Sequence, residues 1–319
     1  MCPAISNVST LTKVENLKMS KLNFNPIALS DKAWIDPIFQ REQSQSAGWC
    51  FANIFIWSPS FHQQVAKIED GLVVKLAYEG SPIYSFPAGV TDLASAISLM
   101  REDAALCNVP LSILGVTEAS KKKLEETLPN QFDFHPDPSL SDYIYEAEKL
   151  AHLPGKKLSS KRNHINRFLE NHPNYQFEPI TMDNICECVS MSREWIYLRQ
   201  LQSSSFSDEL SALRLGFAHF EELGFEGGLL RVDGKVIAFT IGEVLNKDTY
   251  VLHFEKAFSD IQGAYPMINR EFARYILEQH PHIRYINREE DMGMEALQKA
   301  KRSYYPSHMV DKYTAIWRD

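Results

Sequence analysis

His253 and Glu255 stand two residues apart in the run Tyr250-Val251-Leu252-His253-Phe254-Glu255-Lys256. The run reads as a strand, and side-chain alternation predicts Val251, His253 and Glu255 on one face. Either polar residue has the chemistry to take a proton from an attacking amine. The plainer alternative is a polar contact on a solvated face. A second polar set, Glu289, Glu290 and Asp291, lies where a short strand meets the last helix. Three acids there suit recognition of a cationic amine, or capping of the helix; for Asp291 capping is the simpler reading. Lys301 and Tyr305 are four apart on that helix and share a face. A third set is basic: residues 156–167 hold five Lys/Arg and no acid. Lys157, Lys161, Arg162 and Arg167 suit a phosphate-bearing donor, or simply form the solvated face of an amphipathic helix.

Composition limits the partners. Acidic residues outnumber basic ones 41 to 33, a net charge of −8 that argues against broad nucleic-acid binding and leaves only local basic patches. No apolar run reaches the roughly 20 residues that span a bilayer, and the N-terminus carries no apolar signal core. Five cysteines, an odd number, suggest free thiols in a reducing, cytoplasmic setting. Cys186 and Cys188 would point to different sides of a helix, which is poor for shared metal ligation. No Walker loop, nucleophile elbow or paired C-x-x-C is present, and no metal is expected.

The elements that must position these residues follow from periodicity. Residues 1–21 read as a flexible tail, with Met19 a possible alternative start. From there to 154 the expectations are a helix at 30–40, a strand or buried helical turn at 51–57, and a hairpin of 72–78 with 83–86. Helices at 92–107 and 117–127 flank a strand at 111–114, and 142–150 reads as helical. A basic helix at 159–171 lies in the linking segment 155–174. The second half predicts a strand at 175–180 and helices at 182–200 and 208–223, joined by a serine-rich loop at 203–207. Three antiparallel strands follow at 228–232, 236–244 and 249–255. Asp233-Gly234 between the first two suits a type I′ turn. A glycine turn, a helix from Pro266 to Gln279, a strand at 283–286, a helix at 294–304 and a strand at 312–317 complete the chain.

This element order resembles the GNAT acyltransferase fold, with the first half a vaguer version of the same elements. The blocks 153–168 and 287–306 resemble the phosphatidylglycerol lysyltransferase C-terminal domain family, over roughly residues 22–319. The resemblance implies an α/β (α+β) architecture of two tandem GNAT-like lobes, at 22–154 and 175–319, each a mixed, mostly antiparallel sheet flanked by helices. It also implies kinship with enzymes that move aminoacyl groups from charged tRNA to lipids or cell-wall peptides. The donor would then be acyl-CoA or aminoacyl-tRNA, and the partners an amine or hydroxyl acceptor and tRNA. In GNAT enzymes a glycine turn after the fourth strand cradles pyrophosphate on backbone N–H groups. Here Gln262, Gly263, Ala264 and Tyr265 occupy that place, but only the central glycine fits the pattern. An anion site and a plain helix start both remain open. A tyrosine near the last helix often serves as general acid in such enzymes, which points to Tyr305, with Tyr304 expected in the core. Two functions follow: an acyl- or aminoacyl-transferase, or a non-catalytic protein that binds a cationic small molecule through Glu289 and Glu290.

Overall fold

The computed structural model describes residues 20–78, 80–200 and 207–318. Most of the expected tail, Met19, Glu79 of the first hairpin turn and nearly all of the serine-rich loop lie outside these residues. The first half contains β1 (Asn25–Pro26), α1 (Lys32–Glu42), α2 (Phe51–Ile56), α3 (Ser58–Phe61), β2 (Gln64–Ile68), β3 (Gly71–Tyr78), β4 (Ser81–Ser85), α4 (Leu93–Leu106), β5 (Ser112–Thr117), α5 (Glu118–Thr127), β6 (Phe132–Pro136), β7 (Asp142–Glu146), α6 (Ala147–His152) and α7 (Ser159–Asn171). The second contains β8 (Gln176–Pro179), α8 (Ile185–Gln200), α9 (Ser207–Ala218), α10 (Phe220–Leu223), β9 (Glu226–Val232), β10 (Lys235–Val244), β11 (Thr249–Ala257), α11 (Ala264–Gln279), β12 (Tyr285–Asn287), α12 (Glu295–Arg302), β13 (His308–Val310) and β14 (Lys312–Trp317).

These strands form two seven-stranded sheets of matching design, ordered β1-β2-β3-β4-β5-β14-β6 and β8-β9-β10-β11-β12-β7-β13 when both are read from the same edge. In each, four antiparallel strands lead to one parallel pair, β4 with β5 and β11 with β12, and a helix connects the pair. The two lobes exchange strands. β7 leaves the first half to sit between β12 and β13, and β14 leaves the second to sit between β5 and β6. The lobes are therefore not consecutive stretches of chain: residues 142–146 complete the second sheet and residues 312–317 the first.

Local chemistry explains most elements. Asp92 and Thr117 cap α4 and α5 by accepting the Ser95 and Ser120 amides. Asp233 and Gly234 both take positive φ, as a type I′ hairpin turn requires. Residues 51–56 are helical. Residues 142–150, expected as one helix, divide into β7 and α6, because Tyr143, Ile144 and Tyr145 are flanked by β12 and β13 and buried to 1% exposure or less. The helix expected at 208–223 breaks at His219.

Packing divides the second sheet's surroundings into two faces. α11 lies across one face, with α6 and α7 packed against it. It buries Met267, Ile268, Phe272 and Ile276, each worth about 1.5–3 kcal/mol of burial. α8 and α9 cover the other face, and α2 and α3 from the first half pack on α9. One core therefore contains residues from both halves, while a smaller one fills the first sheet. Among the described residues no helix is long and apolar enough to cross a membrane.

Candidate active site

The parallel pairing of β11 with β12 is short. It joins Thr249 to Tyr285, Tyr250 to Ile286 and Val251 to Asn287, and stops there. β11 runs on to Ala257, so its second half parts from the chain leaving β12. At this opening the β10 register slips: Gly242 pairs with Leu252 and Ile241 with Phe254, which leaves His253 as an extra, bulged residue. A bulge breaks alternation. His253 and Phe254 both turn toward the α2 and α9 side, where they meet Phe225 and Trp57. Glu255 turns the other way, toward Asn269 of α11. The expected common face for His253 and Glu255 is therefore corrected: they lie on opposite faces of the opening.

On the α11 face Glu255 is the hub. Its two oxygens accept from Arg288 Nη2 at 2.7 Å and Asn269 Nδ2 at 3.0 Å. Both partners keep one buried polar atom without a hydrogen-bond partner among the described residues, Arg288 Nη1 and Asn269 Oδ1. An unmet donor and an unmet acceptor thus flank one carboxylate, and burying each without a partner costs about 1–3 kcal/mol. The guanidinium of Arg288 also lies 5.0 Å from the Tyr304 ring and 5.6 Å from that of Tyr145. Lys161 of α7 reaches the same spot, its Nζ 4.1 Å from the Tyr304 ring. Burial and the nearby Arg288 charge push its pKa down to about 8, against the opposing pull of Glu255. Tyr304, expected in the core, is thus buried between two cations.

The acidic turn is held by its neighbours. Lys301 Nζ donates to the Arg288, Glu289 and Glu290 carbonyls, the first two at 2.6 and 3.1 Å, so it clamps the turn's backbone. Burial and Arg288 bring the Lys301 pKa down to about 8. The clamp holds Glu289 at a φ of 55°, a left-handed conformation costing a non-glycine residue roughly 1–2 kcal/mol. Glu289 Oε1 contacts His253 Nδ1 at 2.9 Å and accepts from Asn53. Glu290 lies 4.0 Å from Lys312 Nζ, and burial pushes its pKa up to about 7. Asp291 accepts from the Tyr143 hydroxyl and the Gly293 amide, a turn-capping arrangement.

Three comparisons bear on this geometry. Residues 39–316 match the family described as phosphatidylglycerol lysyltransferase, C-terminal. The chain belongs to that family. A conserved protein of unknown function from Bacteroides thetaiotaomicron is 40% identical, with a TM-score of 0.87 over 93% of this chain and all of that one. The C-terminal domain of a lysylphosphatidylglycerol synthetase from Agrobacterium fabrum superposes with a TM-score of 0.65 at 13% identity, over 91% of this chain and 92% of that one. FemX gives 0.60 at 10% identity, over 92% and 96%. The last two likenesses concern the fold, two GNAT-like lobes in tandem. An uncharacterized protein of Mycoplasmoides gallisepticum is 24% identical over 182 residues, which make up 55% of this chain and 56% of that relative's length.

Within this family member, the glycine turn is packed against α7. Gly263 has a φ of 87°, and a Cβ there would stand 2.3 Å from the His164 carbonyl oxygen and 2.9 Å from Phe168 Cβ. The glycine lets α7 sit directly on the start of α11; Gln262, Ala264 and Tyr265 flank that contact. The matching turn of the first lobe is also filled. Glu69 accepts the Thr91 and Asp92 amides, and Glu42 accepts that of Gly89. Both turns are thus packed against neighbouring groups, α7 at Gly263 and two carboxylates at residues 89–92. Arg162 gives its Nη1 to the Leu153 and Gly155 carbonyls. Tyr305 faces outward at 41% exposure, with Lys157 5.4 Å from its ring.

The structure thus brings Glu255 and Lys161 together and sets His253 and Glu289 behind them. It assigns Lys301 and Asp291 to holding the turn, and leaves Tyr305 and Arg162 at the margin. Arg288, Asn269 and Tyr145 join the site without having been singled out in the sequence. Arg288 had a visible signal, as the one cation in the acidic joint. Asn269 and Tyr145 had none, because their neighbours are set by long-range packing.

Proposed function

We propose that this protein is an aminoacyltransferase whose reaction centre is the Glu255–Arg288–Asn269 cluster at the parting of β11 and β12. The observation that carries this reading is the pair of unmet polar atoms, Arg288 Nη1 and Asn269 Oδ1, on either side of a buried carboxylate. Family membership supports acyl transfer in general. The two filled turns favour an aminoacyl ester over an acyl-CoA donor, and the basic helix α7 borders the cluster through Lys161.

In this reading an acceptor amine or hydroxyl attacks the ester carbonyl carbon. Glu255 takes the proton that the nucleophile loses as the new bond forms. The carbonyl oxygen becomes an oxyanion, which Arg288 Nη1 and the Lys161 ammonium stabilise in a site screened from water. Collapse restores the carbonyl and breaks the acyl–oxygen bond. Protonated Glu255 returns its proton to the departing ribose oxygen. Asn269 Oδ1 accepts a hydrogen bond from the donor's amino group.

The test is transfer of a radiolabelled amino acid from charged tRNA to small amine and hydroxyl acceptors, with acetyl-CoA run in parallel. Turnover with the aminoacyl donor is expected, falling about 10²–10⁴-fold in Glu255→Gln. Turnover that survives Glu255→Gln, or turnover with acetyl-CoA alone, would overturn the reading.

A further inference from the structure

The opposite face of the same opening carries a separate constellation. Cys50 at the start of α2, Glu243 on β10 and His253 on the β11 bulge place one sulfur, one carboxylate oxygen and one ring nitrogen within 4.8 Å of one another. His253 Nε2 stands 3.1 Å from Glu243 Oε1. Bond lengths of 2.0–2.3 Å at tetrahedral angles set zinc ligands roughly 3.3–3.6 Å apart, so small side-chain shifts would close this set on an ion. The other ring nitrogen, Nδ1, is 2.9 Å from Glu289 Oε1. That is the outer carboxylate contact that fixes a ligating histidine's tautomer and orientation. The His253 side chain is fully buried, and Cys50 is 6% exposed.

We infer that Cys50, Glu243 and His253 form a three-ligand site for a divalent metal of borderline softness, zinc above all, with Glu289 orienting His253. The mixed sulfur, nitrogen and oxygen donor set favours zinc over magnesium or calcium, which take oxygen. A cavity of about 190 Å³ lies beside the set, lined by Cys50 and Glu243 together with Trp49, Leu223 and Leu245. It leaves a fourth coordination position for water or a small ligand. Ligation requires the Cys50 thiolate, so zinc uptake should release a proton. Alternation from Val251, which pairs with Glu243, puts His253 on the face that holds Cys50 and Glu243, and the bulge turns Glu255 away from it.

The experiment uses tag-free full-length protein. Zinc is expected to bind at one equivalent and to survive dialysis. Cobalt substitution should give a thiolate-to-cobalt charge-transfer band, and zinc-edge X-ray absorption should fit one sulfur with nitrogen and oxygen neighbours. Cys50→Ser should abolish the band while circular dichroism still reports a folded chain. Glu289→Gln should weaken zinc binding about 10–100-fold. Wild-type protein that retains no zinc and shows no cobalt band overturns the site, and leaves His253 as an imidazolium held between two carboxylates. A sulfur-free absorption fit, or a band that persists in Cys50→Ser, overturns it as well. None of these readouts depends on transfer activity.

Discussion

Lys161 is the residue whose environment makes the sharpest claim. Its ordinary pKa of 10.5 falls to about 8 because burial disfavours the ammonium and Arg288 repels it. Below about pH 8 the folded protein holds a charged lysine there, at a cost the unfolded chain does not bear. Between about 8 and 10.5 the unfolded chain binds more protons than the folded one, so stability from this group rises with pH. Lys161→Met is therefore expected to stabilise the fold at neutral pH, with the gain shrinking as pH climbs through that window; urea titrations at pH 7 and pH 10 would show it. Activity should move the other way. If the ammonium stabilises the oxyanion, turnover falls as pH rises past about 8, and Lys161→Met removes that limb along with most of the rate. A pH profile unchanged by the substitution would exclude Lys161 from the chemistry. The basic segment was visible as a run of like charges, but its special member was not. Lys157 and Lys161 look alike in sequence; only packing against Tyr304 separates a surface cation from a desolvated one. His253 and Glu255 were visible as polar residues in a strand, yet their common face was not real, because a bulge at an ordinary histidine leaves no local signal.

Among the elements, α7 and α11 meet at Gly263, and the contact decides what that turn is for. A side chain there meets two penalties: the positive φ, and the His164 carbonyl oxygen 2.3 Å from where Cβ would stand. Gly115, also at positive φ, has open space around it and isolates the first penalty. Gly115→Ala should cost about 1 kcal/mol, whereas Gly263→Ala should cost about 2–4 kcal/mol because the helices must also separate. Equal losses in urea denaturation would mean that α7 does not press on the turn. The contact has a functional side as well. It carries Lys161 to the Glu255 cluster, so the glycine brings the basic helix close to that cluster. The sequence located both helices and the glycine between β11 and α11. It did not reveal their contact, which joins residues a hundred positions apart.

For the whole molecule the governing fact is strand exchange. β7 and β14 each complete the sheet of the other half, and they meet in the buried pair of Asp142 and Lys312, 2.7 Å apart. Asp142 also accepts the Ala47 amide and the Asn287 side chain. Burial opposes the charge on Lys312, but Asp142 and Glu290 outweigh it and hold its pKa above the ordinary value. The crossing therefore ties the turn before α2, β7, β12 and β14 at one point beneath the acidic turn. None of this was legible in the sequence. The segment 142–150 has no helix-breaking residue, and what makes its first five residues a strand is pairing with segments roughly 140 and 165 positions later. Exchange implies that neither lobe can unfold without taking a strand from the other. Fluorescence and circular dichroism should report one coincident urea transition for the full chain, despite its two sheets. Lys312→Met would strand a buried Asp142 charge and should cost about 3–5 kcal/mol, lowering the midpoint without splitting the transition. Asp142→Asn in the same chain should recover part of that loss, because the unpaired charge is then gone. Two separate transitions in the wild type would mean that the lobes are energetically independent in spite of the exchange. A single transition that moves by less than 1 kcal/mol in Lys312→Met would instead place the coupling in the strand pairing itself, not in the ion pair at its crossing.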